Sequence, residues 1–395
     1  MNTSELIDQM AHELKPHYSR FFAGRDNELL FTAHSHQAWP DASREGQIKA
    51  WDDAAQYIDG KWNIIFSEVL PKFQAHVAKR IGSTRPQDIT IAPNTHELDY
   101  RLLSCLPAQP RILTTSSEFH SLRRQLIRSA EDGANIEFVD TQHANFVDQF
   151  VEKIRRADWD LIALSYVFFT NARIVTELPH ILEAAATREI PVLVDLYHAF
   201  NTLPVSADLW PGQVFAVGGG YKYAQSGEGV CWMLLPEDSQ RYRPRNTGWF
   251  ADFEHLEDAQ EKVSYGANFQ RFLGATFEPT PLYRANAVMD WMDANNLSVE
   301  NLRTQARLQT ELLIQAFDDS SLSSKGFSVA SPRDNEKRAS FVSFAHPKAT
   351  EICKRLGENG LKTDARGDLL RLGPAPYTTV DECRRAIEII QRLAV

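Results

Sequence analysis

Asp195 and Lys222 are the residues whose types and spacing point most directly to chemistry, and they lie 27 positions apart. Val192–Asp195 is an apolar run that ends in a carboxylate, which is the pattern of a buried parallel strand. Phe215–Val217 is a second such run, and a glycine-rich loop after it carries Lys222. Because open α/β sheets bind ligands at the carboxyl ends of their strands, we expect both side chains at one edge of a sheet.

An amine and a carboxylate in this arrangement are the two groups that pyridoxal phosphate (PLP) requires. The amine forms the Schiff base, and the acid pairs with the pyridinium nitrogen. The alternative is structural, with a strand-end aspartate that caps a turn and a lysine that is solvated at the surface. The pair alone does not separate these two interpretations.

Apolar runs alternate with helical stretches from about residue 88 to residue 235. This pattern is typical of a parallel sheet with crossover helices, so we predict a large, doubly wound, mostly parallel domain of seven strands. The predicted strands are Ile89–Ala92, Ile112–Thr115, Ile136–Val139, Leu161–Leu164, Val192–Asp195, Phe215–Val217 and Val230–Leu235. The predicted helices between them are Glu97–Cys105, Leu122–Ser129, Phe146–Arg156 and Leu178–Thr187.

The pattern changes after Trp249–Phe250, first to a polar stretch and then to helices mixed with short strands. A smaller α+β domain is therefore expected. We predict an N-terminal segment at 1–60 that packs with the small domain, a large PLP-binding domain at 61–270, and the small domain at 271–395. Helices are predicted at Trp51–Phe66, Pro71–Ile81, Leu282–Asn295, Val299–Phe317, Lys348–Glu358 and Val380–Leu393, and strands at Phe327–Val329, Ala339–Phe344 and Leu369–Leu372.

The composition is that of an ordinary globular protein, with 395 residues, 43% hydrophobic and 24% charged. The formal net charge of −10 disfavours binding to nucleic acid or to an anionic membrane surface. The N-terminus lacks the apolar core of a signal peptide, and no apolar run approaches the roughly 20 residues of a membrane span. We therefore expect a cytoplasmic protein whose cysteines are reduced core thiols, namely Cys105, Cys231, Cys353 and Cys383.

Asn94 and Thr95 stand in a short polar turn between a predicted strand and a predicted helix. Free backbone N–H groups at the start of a helix bind phosphate, and a threonine hydroxyl adds a donor. The structural alternative is that Asn94 or Thr95 only caps the helix, with Glu97 near the positive end of its dipole. Taken alone, this turn favours capping.

Two further strand ends carry residues that suit a cofactor site. Phe119 follows the second predicted strand, where an aromatic ring stacks on a cofactor or covers the core. Ser165 ends the fourth predicted strand and is expected to reach the same crevice. Each residue is a weak signal, but all of them lie at the carboxyl ends of strands in one predicted sheet, so together they favour a cofactor site.

The chain resembles kynureninase, and more broadly the class V aminotransferase group of fold-type-I PLP enzymes. The resemblance runs from roughly Phe31 to the C-terminus and keeps the order of the motifs. The motifs that carry it are Asp195-Leu-Tyr-His198, Gly-Gly-Gly-Tyr221-Lys222-Tyr223, Thr247-Gly-Trp249-Phe250 and Leu369-Leu-Arg371-Leu-Gly.

The resemblance implies a role for each matching residue. Lys222 matches the Schiff-base lysine and Asp195 the partner of the pyridine N–H. Arg371 matches the arginine that clamps the substrate α-carboxylate, a bidentate task that suits a guanidinium. Arg366 is expected either to support Arg371 or to be a solvated loop charge. The other matches are phosphate-cup positions (Asn94, Thr95, Tyr221), the stacking ring (Phe119), further cofactor contacts (Ser165, His198, Trp249) and a position supplied by the neighbouring subunit of a homodimer (Thr276). Ser35 matches the serine of a short active-site loop and is expected to contact the substrate, with plain loop polarity as the alternative.

These roles imply a reaction on an amino acid. Asp195 would keep the ring nitrogen protonated, Lys222 would move the Cα proton, and Tyr221 would relay protons. A kynureninase-type reaction cleaves Cβ–Cγ by hydrolysis and releases L-alanine. His34 and His36 flank Ser35, but no carboxylate or cysteine completes a metal site, so no metal is predicted.

Three positions depart from the pattern of the family, and all concern the substrate. Leu122 stands where the family has an aspartate, and Asp59 or Gly60 where it has a histidine. Phe277-Glu278 replaces Pro-Pro. The substrate is therefore kynurenine or another γ-keto or β-substituted amino acid.

Two alternatives to kynureninase-like hydrolysis follow from the sequence. One is another class V activity, namely aminotransferase, C–S lyase or epimerase. A desulfurase is disfavoured because the segment around Arg371 has no cysteine and Cys353 lies in a predicted helix. The other is a scaffold that uses the fold to bind partners, which the retention of Lys222 and Asp195 argues against.

Overall fold

A seven-stranded sheet dominates the computed structural model, which describes residues 2–143, 145–257 and 261–393. The strands are β1 (Leu29–Leu30), β2 (Ile89–Ala92), β3 (Arg111–Thr115), β4 (Asn135–Val139), β5 (Leu161–Ser165), β6 (Val192–Asp195), β7 (Val214–Gly219), β8 (Cys231–Leu234), β9 (Ser328–Val329), β10 (Val342–Ala345), β11 (Leu361–Lys362), β12 (Asp364–Arg366) and β13 (Leu369–Leu372).

Helices join and cover these strands. The α-helices are α1 (Thr3–Leu14), α2 (Ser19–Phe22), α3 (Ala42–Tyr57), α4 (Lys61–Ile64), α5 (Leu70–Arg80), α6 (Thr95–Leu103), α7 (His120–Glu131), α8 (Phe146–Arg156), α9 (Leu178–Thr187), α10 (Thr280–Ala294), α11 (Val299–Asp318), α12 (Ala349–Glu358) and α13 (Val380–Leu393). Short 3-10 turns occupy Lys15–Tyr18, Ile58–Gly60, Pro86–Asp88, Ala207–Leu209, Ser239–Arg241, Trp249–His255, Asn268–Phe272 and Ser323–Lys325. No helix of the described ranges is long and apolar enough to cross a membrane.

The large sheet has the strand order β2–β8–β7–β6–β5–β3–β4. Its strands are parallel except β8, which runs antiparallel to both of its neighbours. All seven predicted strands form this sheet, with small differences at their ends. On β6, Val192 and Val194 join one apolar cluster and Leu193 joins another, so the strand is buried on both faces. This burial explains its continuous apolar sequence.

A second sheet, in the order β12–β13–β10–β9, is antiparallel and forms the core of the C-terminal α+β region with α11, α12 and α13. The N-terminal segment joins this region, because β1 pairs in parallel with β11. The Gln305 side chain also donates to the backbone carbonyl of Ile7 in α1. The domain limits at 60 and 270 remain a prediction.

Two predicted elements are wrong in their extent. The predicted helix Trp51–Phe66 is interrupted, because Ile58 adopts a left-handed φ of 52° and a 3-10 turn separates α3 from α4. The predicted strand Ala339–Phe344 starts only at Val342, because the preceding residues pair elsewhere. The Ala339 amide donates to the Ala172 carbonyl, which belongs to the loop after β5.

Candidate active site

A cavity of about 160 Å³ lies at the carboxyl ends of the parallel strands of the large sheet. The segments after β2, β3, β6 and β7 each contribute to its wall, which is the expected arrangement in an open α/β sheet. Predicted site residues that line it are Asn94, Thr95, Phe119, Asp195, His198, Tyr221 and Lys222.

Lys222 is buried at this cavity, with a relative exposure of 4%. Its Nζ lies 3.0 Å from His198 Nε2. It also lies 4.7 Å from the ring centroid of Tyr197 and 5.2 Å from that of Phe119. Burial lowers the pKa of Lys222 to about 7, although the nearby Asp195 charge opposes this shift. A large fraction of the amine is therefore neutral near pH 7.

The glycines before Lys222 are explained by close packing. A Cβ at Gly219 would lie 2.4 Å from Cys231 Sγ and 2.5 Å from Tyr197 Oη, distances that real Cβ atoms do not adopt. The turn that follows is tight, because the Gln225 amide donates to the Lys222 carbonyl at 2.9 Å. The end of β7 therefore has no room for a side chain at Gly219, and the chain delivers Lys222 directly into the cavity.

Asp195 ends β6, where it pairs in register with Ser165 on one side and Val217 on the other. Its Oδ1 accepts a hydrogen bond from the Tyr197 amide at 2.7 Å. Among the described residues no other hydrogen bond reaches this carboxylate. Burial raises the pKa of Asp195, while the Tyr197 amide and the Lys222 charge oppose the shift. A protonated group in the cavity would therefore favour the ionised form of Asp195.

Asn94 caps α6, as its structural interpretation predicted, because Asn94 Oδ1 accepts from the Glu97 amide at 2.9 Å. The next two residues, Thr95 and His96, start the helix and line the cavity. The Thr95 amide is directed to the Cys231 thiol. The His96 amide, also in the first helical turn, has no partner within the helix, so this end of the cavity is suited to an anion.

Ser165 lies at its predicted strand end but is not among the residues that line the cavity, and its hydroxyl donates to Glu118 Oε2 at 2.7 Å. The sequence does not single out Glu118, which is only 1% exposed. Burial raises the pKa of Glu118 to about 7, against the hydrogen bonds from Thr115 and Ser165. Burial also raises the pKa of Asp99 on α6, and the charges of Asp195 and Glu118 add to this shift. The charges of these buried carboxyl groups therefore influence one another.

Phe119 connects the cavity to Arg371. Its ring packs edge-on against Phe169, with ring centroids 5.4 Å apart and planes at 88°. The Phe169 carbonyl accepts from the Arg371 guanidinium. Arg371 is 2% exposed and does not line the cavity, but its positive charge contributes to the lowered pKa of Lys222.

A carboxylate partner of Arg371 was missed by the sequence analysis. Asp364 on β12 accepts two hydrogen bonds from Arg371, from Nε at 2.7 Å and from Nη2 at 2.5 Å. His34 Nε2 lies 3.0 Å from the same carboxylate. Arg366 Nη2 lies 3.8 Å from Asp364, so Arg366 is a neighbour of the pair and 46% of its side chain is exposed.

The loop that carries Ser35 borders the site, although Ser35 itself is not in the cavity wall. The Ser35 hydroxyl donates to the Thr32 carbonyl at 3.1 Å. The ring of His36 stacks on Tyr221 with centroids 5.2 Å apart, and the Gln37 amide donates to the Tyr221 carbonyl at 3.4 Å. This loop therefore covers Tyr221.

Trp249 and Thr276 lie outside the Lys222 cavity of their own chain. Trp249 stacks on Phe250, with centroids 4.4 Å apart, and is 43% exposed. Thr276 lines a neighbouring cavity of about 320 Å³, which shares Pro93 and Gly229 with the first.

The positions that depart from the family pattern have structural roles here. Leu122 on α7 is buried in an apolar cluster at 4% exposure. Phe277 packs edge-on against Trp62, with centroids 5.5 Å apart. Asp59 and Gly60 lie on an exposed 3-10 turn. These positions therefore carry buried apolar packing or solvent exposure in this chain.

Comparisons of sequence confirm the resemblance predicted from the motifs. Residues 302–390 match the family model "Kynureninase C-terminal domain". The chain is 27% identical over 355 residues to the kynureninase of Geobacillus thermodenitrificans, covering 85% of this chain and 81% of that protein. It is also 27% identical over 241 residues to the kynureninase of Bacillus thuringiensis subsp. konkukian, a match that covers 55% of that protein.

Comparisons of structure confirm the predicted fold class. A mutant of C-DES with glycine covalently linked to its PLP cofactor superposes with a TM-score of 0.80, at 17% identity over 95% of this chain and 98% of that one. The apo cysteine desulfurase of Thermococcus onnurineus superposes with a TM-score of 0.76, at 16% identity over 96% of this chain and 98% of that one. The chain therefore has the fold of fold-type-I PLP enzymes.

Proposed function

We propose, from the premise that this chain is kynureninase-like in sequence and has a fold-type-I architecture, that it is a PLP-dependent enzyme acting on an amino acid. Its reaction is kynureninase-like hydrolysis of Cβ–Cγ in kynurenine or a related γ-keto amino acid, with release of L-alanine. The observation that carries the proposal is the buried Lys222 amine, whose pKa is about 7, in one cavity with the Asp195 carboxylate.

The residues present fit the cofactor at each of its reactive groups. Lys222 would hold it through a Schiff base, for which a neutral amine is required. The pKa of Asp195 is raised by burial, and its carboxylate accepts one hydrogen bond, from the Tyr197 amide. A pyridinium N–H would supply the cationic hydrogen-bond partner that would stabilise the ionised carboxylate. Thr95 and His96 offer a helix start for the phosphate, and Phe119 and Tyr221 present aromatic surfaces in the same wall.

When bound, PLP withdraws electrons from the substrate Cα and so makes bonds to that carbon and beyond easier to break. The protein moves and holds the protons. Lys222 is the base nearest the cavity, and a pKa near 7 lets it accept a proton and return it at neutral pH. The pKa of His198 is held well below its usual range by burial and the Lys222 charge, so a neutral imidazole orients the amine.

Tyr221 suits a proton relay at the other side of the lysine. Its ring centroid lies 5.6 Å from Lys222 Nζ, and burial raises its pKa to about 12, so the phenol keeps its proton. A phenol in this state donates a hydrogen bond to a phosphate and receives one from water. This supports the catalytic role proposed for Tyr221 beside Lys222 and Asp195.

A second candidate is another class V activity on a different amino acid. It is favoured by Leu122 and Phe277, because both place apolar contacts where the family has polar or proline residues. A cysteine-based desulfurization is disfavoured. Cys353 lies on α12 and its thiol contacts the Thr363 carbonyl at 3.6 Å, and β11, β12 and β13 contain no cysteine.

We also propose a homodimer with shared active sites. Thr276 and Trp249 lie outside the Lys222 cavity of their own chain, and Trp249 is half exposed. Both positions would reach a partner's cofactor across a C2 interface. Equilibrium ultracentrifugation of the full chain at micromolar concentration is expected to give twice the monomer mass. A monomer would contradict the shared site.

The cofactor is tested by absorbance. Purified protein with added PLP is expected to show the band of lysine-bound PLP, and Lys222→Ala is expected to abolish it. Lys354→Ala, at an exposed lysine on α12, is the matched control and should keep the band. A protein that shows no such band contradicts the PLP assignment. Alanine release from kynurenine and 3-hydroxykynurenine then tests the substrate. If neither compound yields alanine, the second candidate, another class V activity on a different amino acid, is favoured.

A further inference from the structure

The guanidinium of Arg371 uses only part of its N–H donors within the protein. Arginine has five N–H donors. Within the described residues three of them are used, two by Asp364 and one by the Phe169 carbonyl. The Asp364 bonds run through Nε and Nη2, which is the side-on edge of the group. One N–H on each of the two terminal nitrogens remains. The one on Nη2 belongs to the end-on edge, through which an arginine can bind a carboxylate bidentately.

Asp364 is itself fixed in place, so it does not behave as a mobile competitor for Arg371. It is the register partner of Arg371 across the hairpin of β12 and β13. Although burial opposes ionisation, hydrogen bonds from His34 and Arg371 hold the pKa of the Asp364 carboxyl well below its usual range. The carboxylate is therefore charged and bound on both sides.

His34 completes the arrangement from the opposite end of the chain. Its ring stacks on Phe341 with centroids 4.8 Å apart. It fits only because residue 373 is glycine, since a Cβ there would lie 2.3 Å from His34 Nδ1. Burial lowers the pKa of His34 to about 4, so the ring is neutral at pH 7. It therefore adds no charge to the pair formed by the Asp364 carboxylate and the Arg371 guanidinium.

The same histidine connects this pair to the lysine. The backbone of His34 is hydrogen-bonded to the His198 ring, and His198 holds Lys222 Nζ at 3.0 Å. The Arg371 charge also lowers the pKa of His198 and of Lys222. The charge of Arg371 therefore acts on both His198 and Lys222.

We propose that Asp364, braced by His34, is a positioning residue that fixes Arg371 with its end-on edge ready for the α-carboxylate of an amino-acid substrate. The inference rests on the proposed function and deepens it, because it requires a substrate with a free carboxylate beside its amine. Asp364 acts through Arg371 and does not itself touch the substrate.

The test measures discrimination between an acid and its amide. Holoenzyme is titrated with L-alanine and with L-alaninamide, followed by the PLP absorbance change. Asp364→Asn is expected to weaken L-alanine binding about tenfold or more, because a displaced Arg371 loses its charge-assisted hydrogen bonds to the α-carboxylate. Binding of L-alaninamide should change little, because it has no carboxylate for Arg371 to bind. Asp368→Asn, an exposed aspartate in the turn of the same hairpin, is the matched control and should behave as the unmodified enzyme.

Each other outcome overturns the inference. An unchanged acid-over-amide ratio in Asp364→Asn means that Asp364 serves only stability, and tighter L-alanine binding means that it competes with the substrate. No preference for the acid in the unmodified enzyme means that Arg371 does not bind the carboxylate. If Asp364→Asn does not fold, His34→Ala decides, with a smaller loss of the ratio expected and an unchanged ratio contradicting the role. Absence of the PLP band in the unmodified protein instead removes the proposed function.

Discussion

Glu118 receives both hydrogen-bond donors of Ser165: the hydroxyl donates to Oε2 at 2.7 Å and the amide donates to Oε1 at 3.2 Å. The carboxyl group is buried beneath the strand end that carries the site. Burial favours the neutral form of a carboxyl group and so raises its pKa in the folded protein. Because the pKa then differs between the folded and unfolded states, the free energy of unfolding depends on pH.

Glu118→Gln should remove a loss of stability that occurs as the pH rises. Burial raises the pKa of Glu118 from 4.5 to about 7, so the folded protein retains a proton that the unfolded chain has released between these values. The free energy of unfolding therefore falls as the pH rises through this window, by about 3 kcal/mol in total. In urea unfolding, the free energy of unfolding of Glu118→Gln relative to the unmodified protein should be higher at pH 8 than at pH 5 by about that amount.

Glu358→Gln, at an exposed position at the end of α12, is the control for this comparison. It should follow the pH dependence of the unmodified protein. An equal pH dependence in Glu118→Gln would show that Glu118 is ionised in the folded state.

The rate at which apoprotein takes up PLP should rise with pH around a midpoint near 7. The reacting species is the neutral amine of Lys222, and burial lowers its pKa from 10.5 to about 7. Asp195→Asn should move the midpoint to lower pH, because it removes the negative charge that favours the protonated amine. Stopped-flow absorbance between pH 5.5 and 9 measures both, and a midpoint above 9 would show that Lys222 is solvated.

Leu122→Asp should unfold the protein more readily and should not raise alanine release from kynurenine above that of the unmodified protein. Leu122 is 4% exposed in an apolar cluster, so an aspartate there would be buried without a partner. We expect a loss of at least about 3 kcal/mol in the free energy of unfolding, which exceeds the effect of Leu122→Ala. Urea unfolding and an alanine-release assay measure the two effects. A stable Leu122→Asp protein that releases more alanine from kynurenine than the unmodified protein would contradict this prediction and show that residue 122 limits activity on kynurenine.

Gly219→Ala should lose PLP binding because the end of β7 must shift. The added Cβ would meet Cys231 Sγ at 2.4 Å and Tyr197 Oη at 2.5 Å, and both groups are buried. Gly357→Ala in α12 is the matched control, since nothing lies within 4 Å of its Cβ position. That change should be neutral or stabilise the helix by up to about 1 kcal/mol. PLP absorbance and melting temperature measure both variants, and unimpaired PLP binding by Gly219→Ala would contradict the packing argument.

The large sheet and the cavity wall were predictable because their signals are local. The residue types of Val192–Asp195 and of the loop before Lys222 each predict the end of a strand. The partners of these residues were not predictable. Asp364 and His34 meet although 330 positions separate them, and no local pattern encodes that contact.

Glu118 illustrates the same limit at shorter range. It stands next to Phe119 in the sequence, yet Phe119 lines the cavity whereas the Glu118 carboxyl group binds Ser165, because β3 and β5 are neighbours in the sheet. Sequence spacing places both residues at a strand end but does not assign them to the cavity or to the layer beneath it. Only the sheet order distinguishes the two.

Residues 34–37 contact both the small sheet and the loop that carries Lys222. At one end His34 is bound to Asp364 of the small sheet, and at the other end the Gln37 amide is bound to the Tyr221 carbonyl, beside Lys222. Because these four residues are consecutive, a single short stretch of backbone joins the carboxylate partner of Arg371 to the loop that carries Lys222.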